Sequence, residues 1–476
     1  MDAGKSYFFV GIGGSGMMPL AMILAAQGAS VAGSDRSMDQ DSLPAKFDQL
    51  RALGIDLFSQ DGSGITSAGQ IVVASAAIEA NVPDLVSAER IGAKRLSRAE
   101  LLATLFNKAP LSIGVAGTSG KSTVTGMIGW ILHTLDREPT VMNGAVMKNF
   151  ARPEAPFASA LVGEGDVFVS EVDESDGSIA LYNASIAVLN NVSLDHKSLE
   201  ELRGLFDAFL KRSGRAVVNI DNPDAAALAA ALPADRLTTY SIERAADLQS
   251  IFAEEHPFGI DFMVIEDDLI VEVALQVPGR HNMANALAAI GAVRAAGVSL
   301  HEAATALNSF TGLKRRFDRV GEAAGVTVID DFGHNPDKIT ATLSTLHAFP
   351  GRLLILFQPH GYGPLKVMRR ELVESFVTHL GPDDILVLPD PAYFGGTVTR
   401  DVTSADIVAD IAAMGRAALH LADRDAAARF LVDAARPGDR IIVMGARDDT
   451  LSQVAAAMLQ ALASSDRPDT VTIQPS

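Results

Sequence analysis

The sequence predicts an α/β chain of three successive domains, each a mainly parallel sheet covered by helices. Three observations lead there. Short apolar runs alternate with amphipathic stretches along almost the whole chain. An apolar run is followed at once by a glycine-rich or acidic loop at residues 10–16, 116–123 and 330–336. The 476 residues suit about three domains of roughly 100–200 residues each.

The first block, expected over residues 1–108, opens with a strand at 7–10, then glycines, then an apolar helix near 17–26. Further strands are predicted at 30–34 and 70–75, with a helix near 81–91. The second block, 109–312, opens with a strand at 111–116 and a helix at 121–135. In that helix Val124, Met127, Ile128, Ile131, Leu132 and Leu135 recur at helical spacing. Strands follow at 167–171 and 185–190. Three closely spaced segments, 251–256, 260–266 and 269–277, predict a small antiparallel meander, and an alanine-rich helix at 283–296 closes the block. The third block, 313–476, repeats strand, loop and helix, with strands at 326–331, 353–358, 385–389 and 440–444.

Composition narrows the function classes. Acidic residues outnumber basic ones 58 to 39, a net charge of −19, which repels nucleic acid and anionic membranes. Any bound phosphate must then be held by local backbone and a few cations. With no cysteine there is no disulfide, thiolate nucleophile or thiolate metal site. The acidic start Met1-Asp2 argues against a signal peptide, and no run reaches the roughly 18 apolar residues of a membrane span. A soluble cytoplasmic protein is the expectation.

Gly11-Ile-Gly13-Gly14-Ser15-Gly16 joins a strand to a helix. The first glycine permits a tight turn, the second a close backbone approach to a diphosphate, the third helix-on-strand packing. Asp35 ends the next strand, where a ribose-binding acid would sit. Taken alone, this motif also fits a nicotinamide-dependent oxidoreductase. Gly117-Thr118-Ser119-Gly120-Lys121-Ser122-Thr123 reads as a phosphate loop: backbone N–H groups around phosphate oxygens, Lys121 on the terminal phosphates, Ser122 toward Mg²⁺. Its spacing departs from the usual form, with Val115 where a glycine is common. Glu171, and Asp195-His196 after the next strand, stand at carboxyl ends of strands, as second-metal ligands would. Asp173, Glu174 and Asp176 make that region acidic. Asn282 either caps a helix or reads a base edge, with capping favoured by spacing. Lys314-Arg315-Arg316 is a candidate phosphate clamp at a domain junction. Asp330 and Asp331 suit either a ribose hydroxyl or the cap of the helix that follows.

This order of motifs resembles the Mur ligase family, which joins amino acids to cell-wall precursors. The resemblance spans nearly the whole chain. It rests on residues 11–17, 33–35, 72–78 and 97–100 in the first block and on 117–123, 170–176, 195–196 and 279–282 in the second, with 314–317 and 330–334 at the entry to the third. Within the family these motifs look most like those of the alanine-adding branch. The resemblance implies a Rossmann-like UDP-binding domain, a phosphate-loop ATPase domain and a Rossmann-like C-terminal domain for the amino acid. It implies ATP-dependent amide formation from UDP-N-acetylmuramate through an acyl phosphate, in peptidoglycan precursor synthesis, with ATP and Mg²⁺. Gly13, Gly14, Ser15 and Gly16 would hold the UDP diphosphate, with Asp35 and Ser75 in the same UDP-sugar site. Residues 117–123 would hold ATP, with Lys121 on its β- and γ-phosphates and Ser122, Glu171 and His196 on the metal. Asn282 would contact adenine, Arg316 the phosphates and Asp331 the ATP ribose, while His334 and His360 would face the acceptor.

Five positions depart from the pattern. Ser119 replaces a histidine, and Phe332 and Asn335 replace tyrosine and histidine. Where arginines follow Gln358-Pro359-His360 in the alanine-adding branch, this chain has Gly361 and Pro364. The amino-acid pocket is therefore expected to differ, with Lys366, Arg369 or Arg370 as replacement cations. A ligase with another amino acid or a recycled peptide as acceptor, and a catalytically silent nucleotide-binding regulator, are the competing readings.

Overall fold

The computed structural model describes residues 4–76, 78–193, 197–392, 400–446 and 448–464. It divides into two compact units, Met1–Leu313 and Lys314–Ser476.

The first unit carries two sheets. The smaller comprises β1 (Ser6–Val10), β2 (Ser30–Ser34), β3 (Asp56–Phe58), β4 (Gln70–Ala74) and β5 (Lys94–Ser97), all parallel in the order β3-β2-β1-β4-β5. Tyr7, Phe8, Phe9 and Val10 are buried on both faces of β1, which explains its unbroken apolar run. The strand order reverses between β1 and β4, so a crevice opens beyond their carboxyl ends. The glycine loop after β1 and Ser75 after β4 both lie at that end.

The larger sheet has ten strands. They are β6 (Leu111–Ala116), β7 (Thr140–Met142), β8 (Ala160–Leu161), β9 (Val167–Glu171), β10 (Ile186–Leu189), β11 (Arg215–Asn219), β12 (Leu237–Ser241), β13 (Leu248–His256), β14 (Gly259–Glu266) and β15 (Leu269–Leu275). Their order is β15-β14-β13-β12-β11-β10-β6-β9-β7-β8. The expected meander is β13–β15, and it joins the parallel strands directly, because β13 pairs with β12 over Tyr240 and Ser241. Helices Lys121–Thr134 and Arg280–Ala295 cover one face with Val124, Ile128, Leu287 and Ile290. Helix Leu199–Arg212 covers the other with Phe206 and Phe209.

One hydrophobic core runs through both sheets of this unit. Helix Arg98–Lys108 starts with a capping box in which Ser97 and Glu100 satisfy each other's backbone N–H. It ends by laying Phe106 edge-on against Phe168 (6.0 Å) and Tyr182 (5.3 Å) of the larger sheet's layer.

The second unit has a six-stranded sheet: β16 (Asp318–Ala323), β17 (Val326–Asp331), β18 (Leu353–Gln358), β19 (Ile385–Leu388), β20 (Ala418–His420) and β21 (Arg440–Gly445). The order is β16-β17-β21-β18-β19-β20, parallel except for β16. Every residue of β17, β18 and β21 is buried. Among the described residues, no helix is long and apolar enough to cross a membrane.

Phe209 is fully buried, and its ring lies 3.0 Å from where a Cβ on Gly114 of β6 would stand. Phe209→Ala is expected to destabilise the first unit by about 3–5 kcal/mol. Urea denaturation followed by circular dichroism checks this through the midpoint of that unit's transition.

Candidate active site

The loop between β6 and helix Lys121–Thr134 turns on two glycines with positive φ, Gly117 (127°) and Gly120 (86°). A Cβ on Gly120 would overlap the amides of Asn190 and Asn285, so only glycine fits. Two of the loop's N–H groups are taken up by the protein itself. Thr118 N–H donates to Asn191 O at 3.2 Å and Ser119 N–H to Asn191 Oδ1 at 2.8 Å, which anchors the loop to the segment after β10. The donors left to an anion among the described residues are the N–H groups of Gly117 and Gly120 and those of the helix's first turn, residues 121–123, which no side chain caps.

Lys121 is mostly buried and its ammonium is fully engaged. It donates to Gly117 O at 2.7 Å and to Glu174 Oε2 and Oε1 at 2.8 and 3.1 Å. Burial opposes the charge, but Glu174, Asp173 and Glu171 outweigh it and raise the Lys121 pKa. The lysine therefore stays protonated. Burial also acts against ionisation of Asp173, and Lys121 with the Ser175 N–H reverses it, so that pKa is lowered.

Ser122 and Glu171 converge because β6 and β9 are neighbours in register, Val115 facing Glu171. The Ser122 hydroxyl donates to Glu171 Oε2 at 3.0 Å, and Glu171 Oε1 accepts the Gly144 N–H at 2.5 Å. A hydroxyl and a carboxylate are hard oxygen ligands of the kind Mg²⁺ takes beside phosphates. Among the described residues there is no group of three or more His, Asp or Glu side chains suited to a metal ion. The pair fits a cation that completes its shell with phosphate and water. Asp195 and His196 lie outside the described residues.

A buried amide chain supports the loop. Tyr240 O–H donates to Asn190 Oδ1 at 2.6 Å, and Asn190 Nδ2 donates to Asn285 Oδ1 at 2.8 Å and to Ser119 O at 3.3 Å. Asn285 Nδ2 then donates to Asn282 Oδ1 at 3.1 Å, and Asn282 Nδ2 to Pro278 O at 2.7 Å. Asn282 is thus not a cap; the cap position of its helix is Gly279, and its amide reaches back to the preceding turn. Burial pushes the Tyr240 phenol well above its ordinary pKa, keeping it a donor. Sequence reading gave no role to Tyr240 or Asn190 and saw Asn285 only as part of the motif that opens the alanine-rich helix. The Asn190-Asn191 pair just past a buried strand was their one visible signal.

At the glycine loop of the smaller sheet, Asp35 turns inward. Its Oδ2 accepts the Gly13 N–H and its Oδ1 the Ser37 N–H, both at 2.8 Å. Asp35, expected to bind a ribose, braces the loop: a buried carboxylate needs donors and the loop backbone supplies them. Lys46 Nζ donates to Gly13 O at 3.1 Å. Gly14 N–H bonds Gly11 O, leaving the N–H groups of Ser15 and Gly16 without an acceptor among the described residues. Arg98, which sequence reading gave no role, packs on Gly16.

In the second unit the Lys314-Arg315-Arg316 triplet splits up. Lys314 is exposed. Arg315 is buried, donates to Gly445 O at 2.7 Å and stands 3.5 Å from Asp330. The Arg316 guanidinium stacks 4.3 Å above the Phe332 ring. Asp331, expected near the ATP ribose, accepts from Phe317 N–H and Gly333 N–H at 2.8 Å and from the Thr342 hydroxyl at 3.1 Å. The cap of helix Pro336–His347 is Asn335 rather than either acid. His334 and His360 do meet, with ring centroids 5.1 Å apart. Burial, then nearby Lys338, lowers the His334 pKa well below its ordinary value. Its Nδ1 lies 2.8 Å from Phe332 O, and a carbonyl only accepts, so Nδ1 carries the proton and Nε2 presents a lone pair. The replacement cations already have partners: Lys366 with Asp401 (2.6 Å), Arg369 with Asp410 (2.7 Å) and Arg370 with Glu374 (2.8 Å).

Tyr240→Phe leaves Asn190 Oδ1 short of a donor and is expected to cost about 1–3 kcal/mol of stability, read by thermal melting. Burial raises Asp330 to about 6, only partly offset by Arg315. Native protein then binds the proton more tightly than the unfolded chain, so this group's contribution falls as pH rises from about 4 to 6, by about 2–3 kcal/mol. The stability difference between wild type and Asp330→Asn, measured in urea across that range, is expected to show that loss, and a flat difference would contradict it.

Three family models match consecutive segments: the Mur ligase family catalytic domain over residues 6–109, the Mur ligase middle domain over 115–293 and the Mur ligase glutamate ligase domain over 315–447. A relative in Streptomyces coelicolor, named UDP-N-acetylmuramate–L-alanine ligase, is 36% identical over 453 residues, covering 93% of this chain and 95% of its own. The fold resembles a UDP-N-acetylmuramate-alanine ligase of Thermotoga maritima, with TM-score 0.78, 23% identity and coverage of 96% and 98% of the two chains. It also resembles a murein peptide ligase of Psychrobacter arcticus, with TM-score 0.71, 23% identity and coverage of 99% and 100%. This parentage replaces the oxidoreductase reading of the first glycine motif. The chain belongs to the Mur ligase family and is an ATP-dependent amide-forming ligase.

Proposed function

We propose that the protein joins L-alanine to the carboxylate of UDP-N-acetylmuramate, converting ATP to ADP and phosphate through an acyl phosphate. The observation that carries this reading is the convergence of Lys121, Ser122 and Glu171 at the uncapped start of one helix. The names borne by whole-length relatives support the choice of substrates. A cytoplasmic setting follows from the need for ATP.

In this reading the triphosphate takes the place of Glu174 on Lys121, and the first-turn N–H groups complete its cradle. Gly117, Thr118, Ser119, Gly120 and Thr123 shape that cradle. Ser122 and Glu171 hold Mg²⁺, with His196 as a third ligand. When bound, the metal neutralises charge on the phosphates. Asn282 meets the adenine through the amide hydrogen and lone pair that its network leaves over. Gly13, Gly14, Ser15, Gly16 and Ser75 hold the UDP part of the donor.

The chemistry needs no protein nucleophile. A donor carboxylate oxygen attacks the γ-phosphorus, and the bond to the ADP oxygen breaks. The amine then adds to the acyl carbon, and phosphate leaves. Lys121 and Arg316 contribute by electrostatic stabilisation of the charge that gathers on the transferred phosphoryl group. His334, neutral and with Nε2 as acceptor, suits a proton from the incoming amine in a region shared with His360. Asp331 fastens the segment that carries Arg316. We assign the donor to residues 1–108, ATP to 109–312 and the amino acid to 313–476.

A second reading, a peptide acceptor, is favoured by one observation. Gly361 and Pro364 stand where the alanine-adding branch carries arginines, and the three nearby cations are paired with carboxylates. Phosphate release with ATP, Mg²⁺ and UDP-N-acetylmuramate, run against single amino acids and a cell-wall tripeptide, separates the two. L-Alanine is expected to give the highest kcat/KM; release that depends only on the tripeptide selects the second reading, and no acceptor-dependent release sinks both. Lys121→Ala is expected to lower turnover by more than about 100-fold, as loss of a charge-stabilising donor does, with UDP-sugar affinity unchanged.

A further inference from the structure

We propose that Arg98 is the cation that neutralises the diphosphate of the nucleotide-sugar donor, and that Asp176 is its placeholder counterion until the donor binds. The inference rests on the donor reading above and adds a residue to it. Arg98 opens helix Arg98–Lys108 directly after β5, at the carboxyl end of the smaller sheet where the glycine loop also lies. Its guanidinium is packed against that loop. A Cβ on Gly16 would stand 2.7 Å from Arg98 Nη1 and 3.0 Å from its Cδ. The third glycine of the motif thus lets a cation lie directly on the loop, a contact the helix-on-strand reading of the motif does not include.

Beside that cation lie the two loop donors without acceptors, the N–H groups of Ser15 and Gly16. Two adjacent backbone donors and a planar guanidinium make a matched set for neighbouring anionic oxygens, because the guanidinium presents paired N–H groups at oxygen spacing. The other cations at the loop are committed elsewhere. Lys46 is buried, bonded to Gly13 O and set over the Phe157 ring. Arg36 is exposed, with Glu79 3.6 Å away.

Asp176 approaches Arg98 no closer than 3.7 Å, beyond hydrogen-bond reach, and both side chains keep roughly a quarter of their surface in water. Such a pair is weak. It balances the charge on Arg98 and competes with a diphosphate only modestly, so that its removal leaves the cation freer for the ligand. Asp176 belongs to the same short acidic segment as Glu174, which occupies Lys121. In a chain of net charge −19, the segment gives each of the two anion-binding cations a carboxylate to rest on.

Calorimetric titration of the full chain with UDP, UMP and UDP-N-acetylmuramate tests this. Wild type is expected to bind UDP at least 10-fold more tightly than UMP. Arg98→Gln is expected to lose at least 10-fold in affinity for UDP and for UDP-N-acetylmuramate while UMP and ATP change less than twofold, so the UDP preference disappears; Arg98→Lys recovers part of it. Asp176→Asn is expected to tighten UDP at least twofold, which keeps the test open if Arg98→Gln fails to fold. An unchanged UDP-to-UMP ratio in Arg98→Gln, or unchanged or weaker UDP binding in Asp176→Asn, overturns the role of Arg98. Wild type that binds neither UDP nor UDP-N-acetylmuramate overturns the donor reading itself.

Discussion

A buried ammonium needs a reason to stay charged, and in this protein that reason shapes the site. Lys121 is held by the carbonyl of its own loop and by both oxygens of Glu174, with Asp173 and Glu171 close by. Taking any of these acids away would leave a cation in a medium that solvates it poorly. The acidic run 171–176 is therefore the electrostatic complement of Lys121. On the reading proposed above, it also explains how a strongly acidic protein keeps an anion-binding site ready: the charge of Lys121 is present but balanced locally by a carboxylate that an incoming phosphate would replace.

The two anion-binding loops of the first unit are stiffened by different means. The phosphate loop leans on a chain of amides from Tyr240 to Asn282, every member of which finds a partner. Such a chain works only as a whole, since each amide fixes the orientation of the next. The glycine loop of the smaller sheet is braced by one carboxylate, Asp35, and one ammonium, Lys46, both buried. In each case the bracing consumes some backbone donors and leaves a defined few for the ligand. The loops are thus preorganised, and little ordering entropy remains to be lost on binding.

The second unit follows the same economy. Asp331 spends its oxygens on three donors within its own unit, and this sets the backbone that carries Arg316. Phe332 lies under the guanidinium of Arg316 at 4.3 Å and of Arg315 at 5.1 Å, and its ring meets His334 edge-on. An aromatic ring at this position thereby orients both the cation and the imidazole that the family resemblance singles out.

Much of this could be read from the chain alone. The long buried strands β1, β6, β9, β17, β18 and β21, the helices after the two glycine loops and the meander were all visible, because burial on both faces or one strongly apolar stripe writes itself into the residue pattern. The strands that escaped notice were mostly edges: β3, β5, β8, β16 and β20 each end a sheet. An edge strand such as Lys94–Ser97 is short and half exposed, and its identity comes from the neighbour it pairs with. The site divides in the same way. Glycine spacing, Lys121 and Ser122 sit on consecutive residues and so declare a phosphate loop without any coordinates. Which carboxylates face outward is a different matter, decided by partners far along the chain: Asp35 with Gly13, Glu174 with Lys121, Asp331 with Phe317. Those pairings depend on distances that only folding creates, and a carboxylate at a strand end looks the same in sequence whether it greets a ligand or braces a loop.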